Sequence, residues 1–127
     1  MLVKTYGSSV FGVNAITVTV EVNVDTGFNF FLVGLPDNAV KESHKRIVAA
    51  LNNNGYSFPG KEVVVNMAPA DIKKEGSSYD LTIAIGVLAA SEQLTSAEVS
   101  KYIIMGELSL DALKEDLGEY GCNPYEA

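Results

Sequence analysis

The chain has 127 residues, 47% of them hydrophobic, with a formal net charge of −7, one histidine and one cysteine. That length suits one domain with an ample core. The lone Cys122 excludes an internal disulfide framework and fits a reducing cytoplasm, and one histidine with one cysteine cannot make a transition-metal cluster. No run reaches the roughly 18 consecutive apolar residues of a membrane span, and the first ten residues lack the apolar core and cleavage site of a secretion signal. Residues 111–127 hold five acids against Lys114, −4 of the −7, so residues 1–110 carry only −3. Binding nucleic acid through phosphate neutralisation is hard to build on such a surface.

The chain opens as a β region. The segment 2–10 reads as a strand interrupted near Gly7. In residues 14–24, Ile16, Val18, Val20, Val22 and Val24 alternate with polar residues, the period of a strand buried on one face. Asp25-Thr26-Gly27 is a hairpin-like turn signal. The following strand, FNFFLVGL (28–35), is apolar on both faces and is expected to be central. Pro36 suits the first turn of a helix, and Val40, His44, Ile47, Val48 and Leu51 form one apolar stripe along it. Lys41, Lys45 and Arg46 read as a solvated basic face, and His44 as a packed or boundary residue, since no acid can be assigned to it.

After NNNG (52–55) stops the helix, EVVVNM (62–67) is a strand ended by Pro69. A charged loop then carries Lys73, Lys74, Glu75 and Gly76 into Ser77, Ser78 and a second helix at 81–94. This helix is apolar almost all round and is therefore expected to be deeply packed. Gly86 inside it costs about 1 kcal/mol relative to alanine, which a close helix-to-sheet approach would offset. YIIMGELSL (102–110) reads as a further strand. The order predicts an α+β domain, a two-layer mixed sheet of about five strands with two main helices on one face.

The loop 68–81 is the candidate site, and it has two readings. In the first it is structural: Ser77 and Asp80 have capping-box spacing and Gly76 supplies a turn. In the second Ser78 is a nucleophile in the first helical turn, with a lysine made neutral by burial taking its proton.

The blocks GFNFFLVGLPDNAVKESHKRIVAAL (27–51), NMAPADIKKEGSSYDLTIAIGVLAAS (66–91) and GELSLD (106–111) together resemble the N-terminal domain of the magnesium-chelatase-like AAA+ ATPases of the ComM/YifB type. The resemblance covers nearly all of residues 1–111. It implies a fold like the proteolytic domain of Lon protease, set in front of an ATPase module that binds ATP and Mg, in hexameric motors for DNA branch migration during recombination and natural transformation. No G-x-x-x-x-G-K-[ST] occurs here, so no ATP site is assigned to these residues. After GELSLD the text departs from the family pattern, which implies a domain cut short at its C-terminus, with 112–127 a divergent acidic tail.

Lon-like proteases carry their nucleophile in a block of the form P-K-D-G-x-S-A-G. Lys74, Glu75, Gly76 and Ser78 fall at corresponding positions, but Tyr79 and Asp80 stand where the proteases have small residues. Lys74 and Lys114 are the candidate bases, and Lys114 comes several residues earlier than the protease pattern places it. Relatives resemble one another at the aromatic–Asp–Leu step and not at a serine, which implies that the block is retained for architecture. The expectation is a non-catalytic module that contacts DNA or neighbouring subunits of an ATPase ring. The alternatives are a residual Ser–Lys peptidase using Ser78, and a self-associating adaptor docking through Tyr120, Cys122 and Tyr125.

Overall fold

A computed structural model describes residues 1–69, 74, 76–95 and 97–110. Four strands form one mixed sheet: β1 (Leu2–Phe11), β2 (Asn14–Asp25), β3 (Phe30–Val33) and β4 (Glu62–Ala68), in the order β1-β2-β4-β3. The β1/β2 and β2/β4 pairs are antiparallel and β3/β4 is parallel. Two helices, α1 (Asp37–Asn53) and α2 (Asp80–Ala90), lie on one face, with single 3-10 turns at Gly76–Tyr79 and Val99–Lys101. The domain is α+β, as expected.

The register explains the single buried face. Val3, Val22 and Val65 stand in one row across β1, β2 and β4, and Thr5, Val20 and Met67 in the next. All six are buried, because side chains two apart on each strand point to the same side. The buried Thr5 hydroxyl donates to the carbonyl of Thr82 at 3.0 Å, so the one polar group in these rows is satisfied. Every residue of α2 is buried. Its tight seat depends on Gly86, where an added Cβ would stand 2.6 Å from Val22 Cγ2.

Several sequence expectations need correction. β1 runs unbroken through Gly7, and the missing side chain instead makes room for Tyr79 and Met105: a Cβ there would meet Met105 Sδ at 2.9 Å and the Tyr79 ring at 3.1 Å. Asp25-Thr26-Gly27 does not close a hairpin, because β4 inserts between β2 and β3. β3 is an edge strand and not a central one. Phe30 and Leu32 pack against the core, while Phe31 and Val33 remain 47% and 58% exposed, so apolarity on both faces did not mean burial on both.

The segment 102–110 contributes one parallel bridge, Tyr6 with Ile103, in place of a fifth strand. The Ile104 N–H also donates to Tyr6 O at 2.7 Å, while further groups of the segment turn to the start of α2. Gly106 N–H donates to Ser78 O and Leu81 N–H to Gly106 O, both at 3.0 Å, and Thr82 Oγ1 donates to Ile104 O. On α1 the buried positions are Ser43, Ile47, Ala50 and Leu51, while Val40, His44 and Val48 are half-buried. The stripe is thus rotated from the predicted one, and Pro36 precedes the helix as its N-cap. No helix among the described residues is long and apolar enough to cross a membrane.

Candidate functional site

The start of α2 is where the chain's polar chemistry is most concentrated. Asp80 is fully buried. Its carboxylate accepts from Ser43 Oγ at 2.8 Å, from Arg46 Nε at 2.5 Å and Nη2 at 3.2 Å, and from the Leu108 N–H at 3.4 Å. Arg46 Nη2 also donates to Ser43 Oγ at 3.2 Å. Three elements distant in sequence are thereby tied to one carboxylate: α1, α2 and the segment after residue 102. The hydrogen bond that Arg46 donates to the Asp80 carboxylate raises the guanidinium above its usual pKa. A buried charge is tolerable here because a counter-charge and further donors surround it.

This arrangement corrects two expectations. Ser77 and Asp80 do not form a capping box: the N-cap of α2 is Tyr79, without a side-chain cap bond. Gly76–Tyr79 is a 3-10 turn, the Asp80 carboxylate is turned to α1, and the Gly106 carbonyl takes the Leu81 N–H that a cap would serve. Arg46 is not part of a solvated basic face, since it folds inward onto Asp80 with 23% of its side chain exposed. Sequence reasoning missed Ser43 and Arg46. Their i,i+3 spacing on α1 was visible, but their carboxylate partner lies 34 to 37 residues away.

Tyr79 is anchored as well. Its hydroxyl donates to Ser8 O at 3.1 Å, and its ring covers Gly7. Ser77 and Ser78 are half-buried in the 3-10 turn. Lys74 is 5% exposed and its ammonium donates to Pro69 O at 2.6 Å; among the described residues no hydrogen bond joins it to Ser78. Gly76 opens the turn, and Lys114, Tyr120, Cys122 and Tyr125 lie outside the described residues. His44 stacks flat on Phe30 at 4.2 Å between ring centroids and meets Phe58 edge-on at 5.2 Å. Burial holds it below its usual pKa of 6.5, so it is a neutral packing residue at neutral pH. Among the described residues no three His, Cys, Asp or Glu side chains group as a metal site would require.

The residues do not fit a nucleotide phosphate loop either. The nearest sequence, Gly55-Tyr-Ser-Phe-Pro-Gly60-Lys61, ends on Glu62 where a serine or threonine is needed. It also runs from α1 into β4, the reverse of the strand-to-helix order that aims backbone N–H groups at phosphate.

A mixed sheet with both helices on one face, tied by a buried carboxylate at a helix start, defines an α+β domain. Residues 20–118 match the family described as subunit ChlI of Mg-chelatase, and the chain belongs to that family. The match continues past residue 111, into the segment that the resemblance alone set apart as a tail. The chain is 50% identical over 100 residues to the uncharacterized protein YifB of Escherichia coli, covering 78% of this chain and 20% of that one. It is 44% identical over 110 residues to the competence protein ComM of Haemophilus influenzae, covering 86% and 22%. An uncharacterized protein of Mycobacterium tuberculosis is 35% identical over 109 residues, covering 85% and 22%. The chain therefore spans about a fifth of the length of these curated relatives.

Proposed function

We propose that these residues form a non-catalytic module of a magnesium-chelatase-like AAA+ ATPase of the ComM/YifB type, a motor for DNA branch migration in recombination and natural transformation. The observation that carries the non-catalytic reading is the use made of the 76–81 block. Where a Lon-like protease needs small residues beside its nucleophile, Tyr79 is held at Ser8 and Asp80 is held by Ser43, Arg46 and Leu108. A block so engaged serves packing, and a general base must reach the hydroxyl it activates. The competence role is supported by the likeness to ComM. The module contributes contacts to neighbouring subunits within the ring, and the net charge of −3 over residues 1–110 argues against a separate grip on DNA.

Salt-dependent binding to branched and to linear DNA, measured for this chain and for a full-length relative, tests the proposal. The relative is expected to prefer branched DNA and the chain alone to bind neither. Binding by the chain alone as tight as that of the relative, or no branched preference in the relative, would overturn it.

A further inference from the structure

The outer edge of β1 is finished by side chains. Ile103 bridges to Tyr6 in parallel, and the Ile104 N–H donates to Tyr6 O. A ladder continued from that bridge would next join the Ser8 N–H to Ile104 O and the Gly106 N–H to Ser8 O, since parallel bonds are evenly spaced. Both partners are engaged elsewhere: Ile104 O accepts from Thr82 Oγ1, and the Gly106 N–H donates to Ser78 O. The Ser8 N–H donates instead to Met105 Sδ at 3.2 Å, and Ser8 O accepts from the Tyr79 hydroxyl at 3.1 Å. A thioether therefore stands in for a strand carbonyl, although its sulfur is a weak acceptor.

The site has little room for anything larger than that sulfur. A Cβ at Gly7 would lie 2.9 Å from Met105 Sδ and 3.1 Å from two carbons of the Tyr79 ring, so sulfur, ring and bare backbone are closely packed. Met105 rests against the core yet is only half-buried, which leaves part of its side chain open to small solutes. Of the chain's three methionines, Met67 is 1% exposed within the core and Met1 is 48% exposed ahead of β1. Among the described residues Met105 alone combines partial exposure with a backbone hydrogen bond made through sulfur.

We propose that Met105 is an oxidation site, at which a hydroperoxide converts the thioether to the sulfoxide and releases the β1 edge. With hydrogen peroxide, the sulfur lone pair attacks one oxygen: an S–O bond forms, the O–O bond breaks, and the proton of the transferred oxygen passes to the departing hydroxide, giving water. Sulfur loses two electrons and the peroxide gains them. The polar sulfinyl group does not fit against Gly7 and the Tyr79 ring, so the half-buried side chain swings into water. The Ser8 N–H then loses its acceptor, and the segment 103–106 loses one of its ties to β1. Gly106 carries that loss to α2, because it donates to Ser78 O and accepts from the Leu81 N–H. This property belongs to the domain itself and does not depend on its place in an ATPase.

Hydrogen peroxide applied to the folded chain, followed by peptide mass mapping, is expected to oxidise Met1 first, Met105 next and Met67 only on unfolding. In the chain oxidised at Met105, the Ser8 amide is expected to exchange with deuterium about fivefold faster, the loss of one net hydrogen bond, while the Val20 and Val65 amides keep their protection. Met105→Leu fills the space without the sulfur. Its Ser8 amide is expected to exchange fast before treatment and not to respond to peroxide, which separates Met105 from Met1. Methionine sulfoxide reductases for both epimers, supplied with a thiol, are expected to restore slow exchange in the oxidised wild-type chain. Oxidation of Met105 no faster than of Met67, unchanged exchange at Ser8 after oxidation, faster exchange spread equally to Val20 and Val65, or no recovery with the reductases would overturn the proposal.

Discussion

Asp80→Ala is expected to destabilise the domain by roughly 3 kcal/mol, read as a lower urea midpoint with an unchanged slope. The substitution removes the acceptor shared by Ser43, Arg46 and the Leu108 N–H. Ser43 is fully buried and cannot turn to water. Arg46 keeps 23% of its side chain exposed, so its guanidinium recovers some solvation and holds the cost near the lower end for a broken buried pair. Against a total stability of about 5–15 kcal/mol for a domain, that is a large fraction. Arg46→Ala alone leaves Asp80 buried with neutral donors only, and a double-mutant cycle between the two positions should give a coupling energy of about 1–3 kcal/mol. An Asp80→Ala loss smaller than about 1 kcal/mol would mean that the carboxylate does not lock α1 to α2.

The second large effect runs against local propensity. Alanine in a helix interior is favoured over glycine by about 1 kcal/mol, yet Gly86→Ala is expected to destabilise by about 2 kcal/mol. The new methyl would sit 2.6 Å from Val22 Cγ2 and 3.4 Å from Thr5 Oγ1. Both Val22 and Thr5 are fully buried in the sheet beneath α2, so neither can give way into solvent. Combining Gly86→Ala with Val22→Ala should cost less than the sum of the single changes, because one methyl fills space that the other vacates. A gain in thermal midpoint for Gly86→Ala would contradict the close seating of α2 on β2.

These two positions also mark how much of the molecule could be read from its residues. The alternation in 14–24 placed Val18, Val20, Val22 and Val24 on the buried face, and the nearly uniform apolarity of 81–90 identified a helix enclosed on all sides. Gly86 was legible as a point of close approach because its cost in a helix needs an offset. Periodicity could not distinguish an edge strand with bare apolar side chains from a central one, which misplaced β3. Nor could it show that the segment after residue 102, beyond one bond from the Ile104 N–H to Tyr6 O on β1, exchanges backbone hydrogen bonds with Ser78, Leu81 and Thr82.

The clamp was the least legible feature. Ser77 and Asp80 carry the right spacing for a capping box, but a 3-10 turn and the Gly106 carbonyl make that cap unnecessary, freeing Asp80 for α1. Nothing local to Ser43 or Arg46 names Asp80 as their partner. Only the topology, which lays α1 beside the start of α2, brings the three together.

The central claim is that the 76–81 block is held for architecture and performs no bond cleavage. Intact-mass measurement after incubation with an active-site-directed phosphonate tests it most directly. The expected outcome is an unmodified chain at any pH where the domain is folded. A stoichiometric adduct on Ser78 that disappears in Lys74→Met, with the domain still folded, would contradict it.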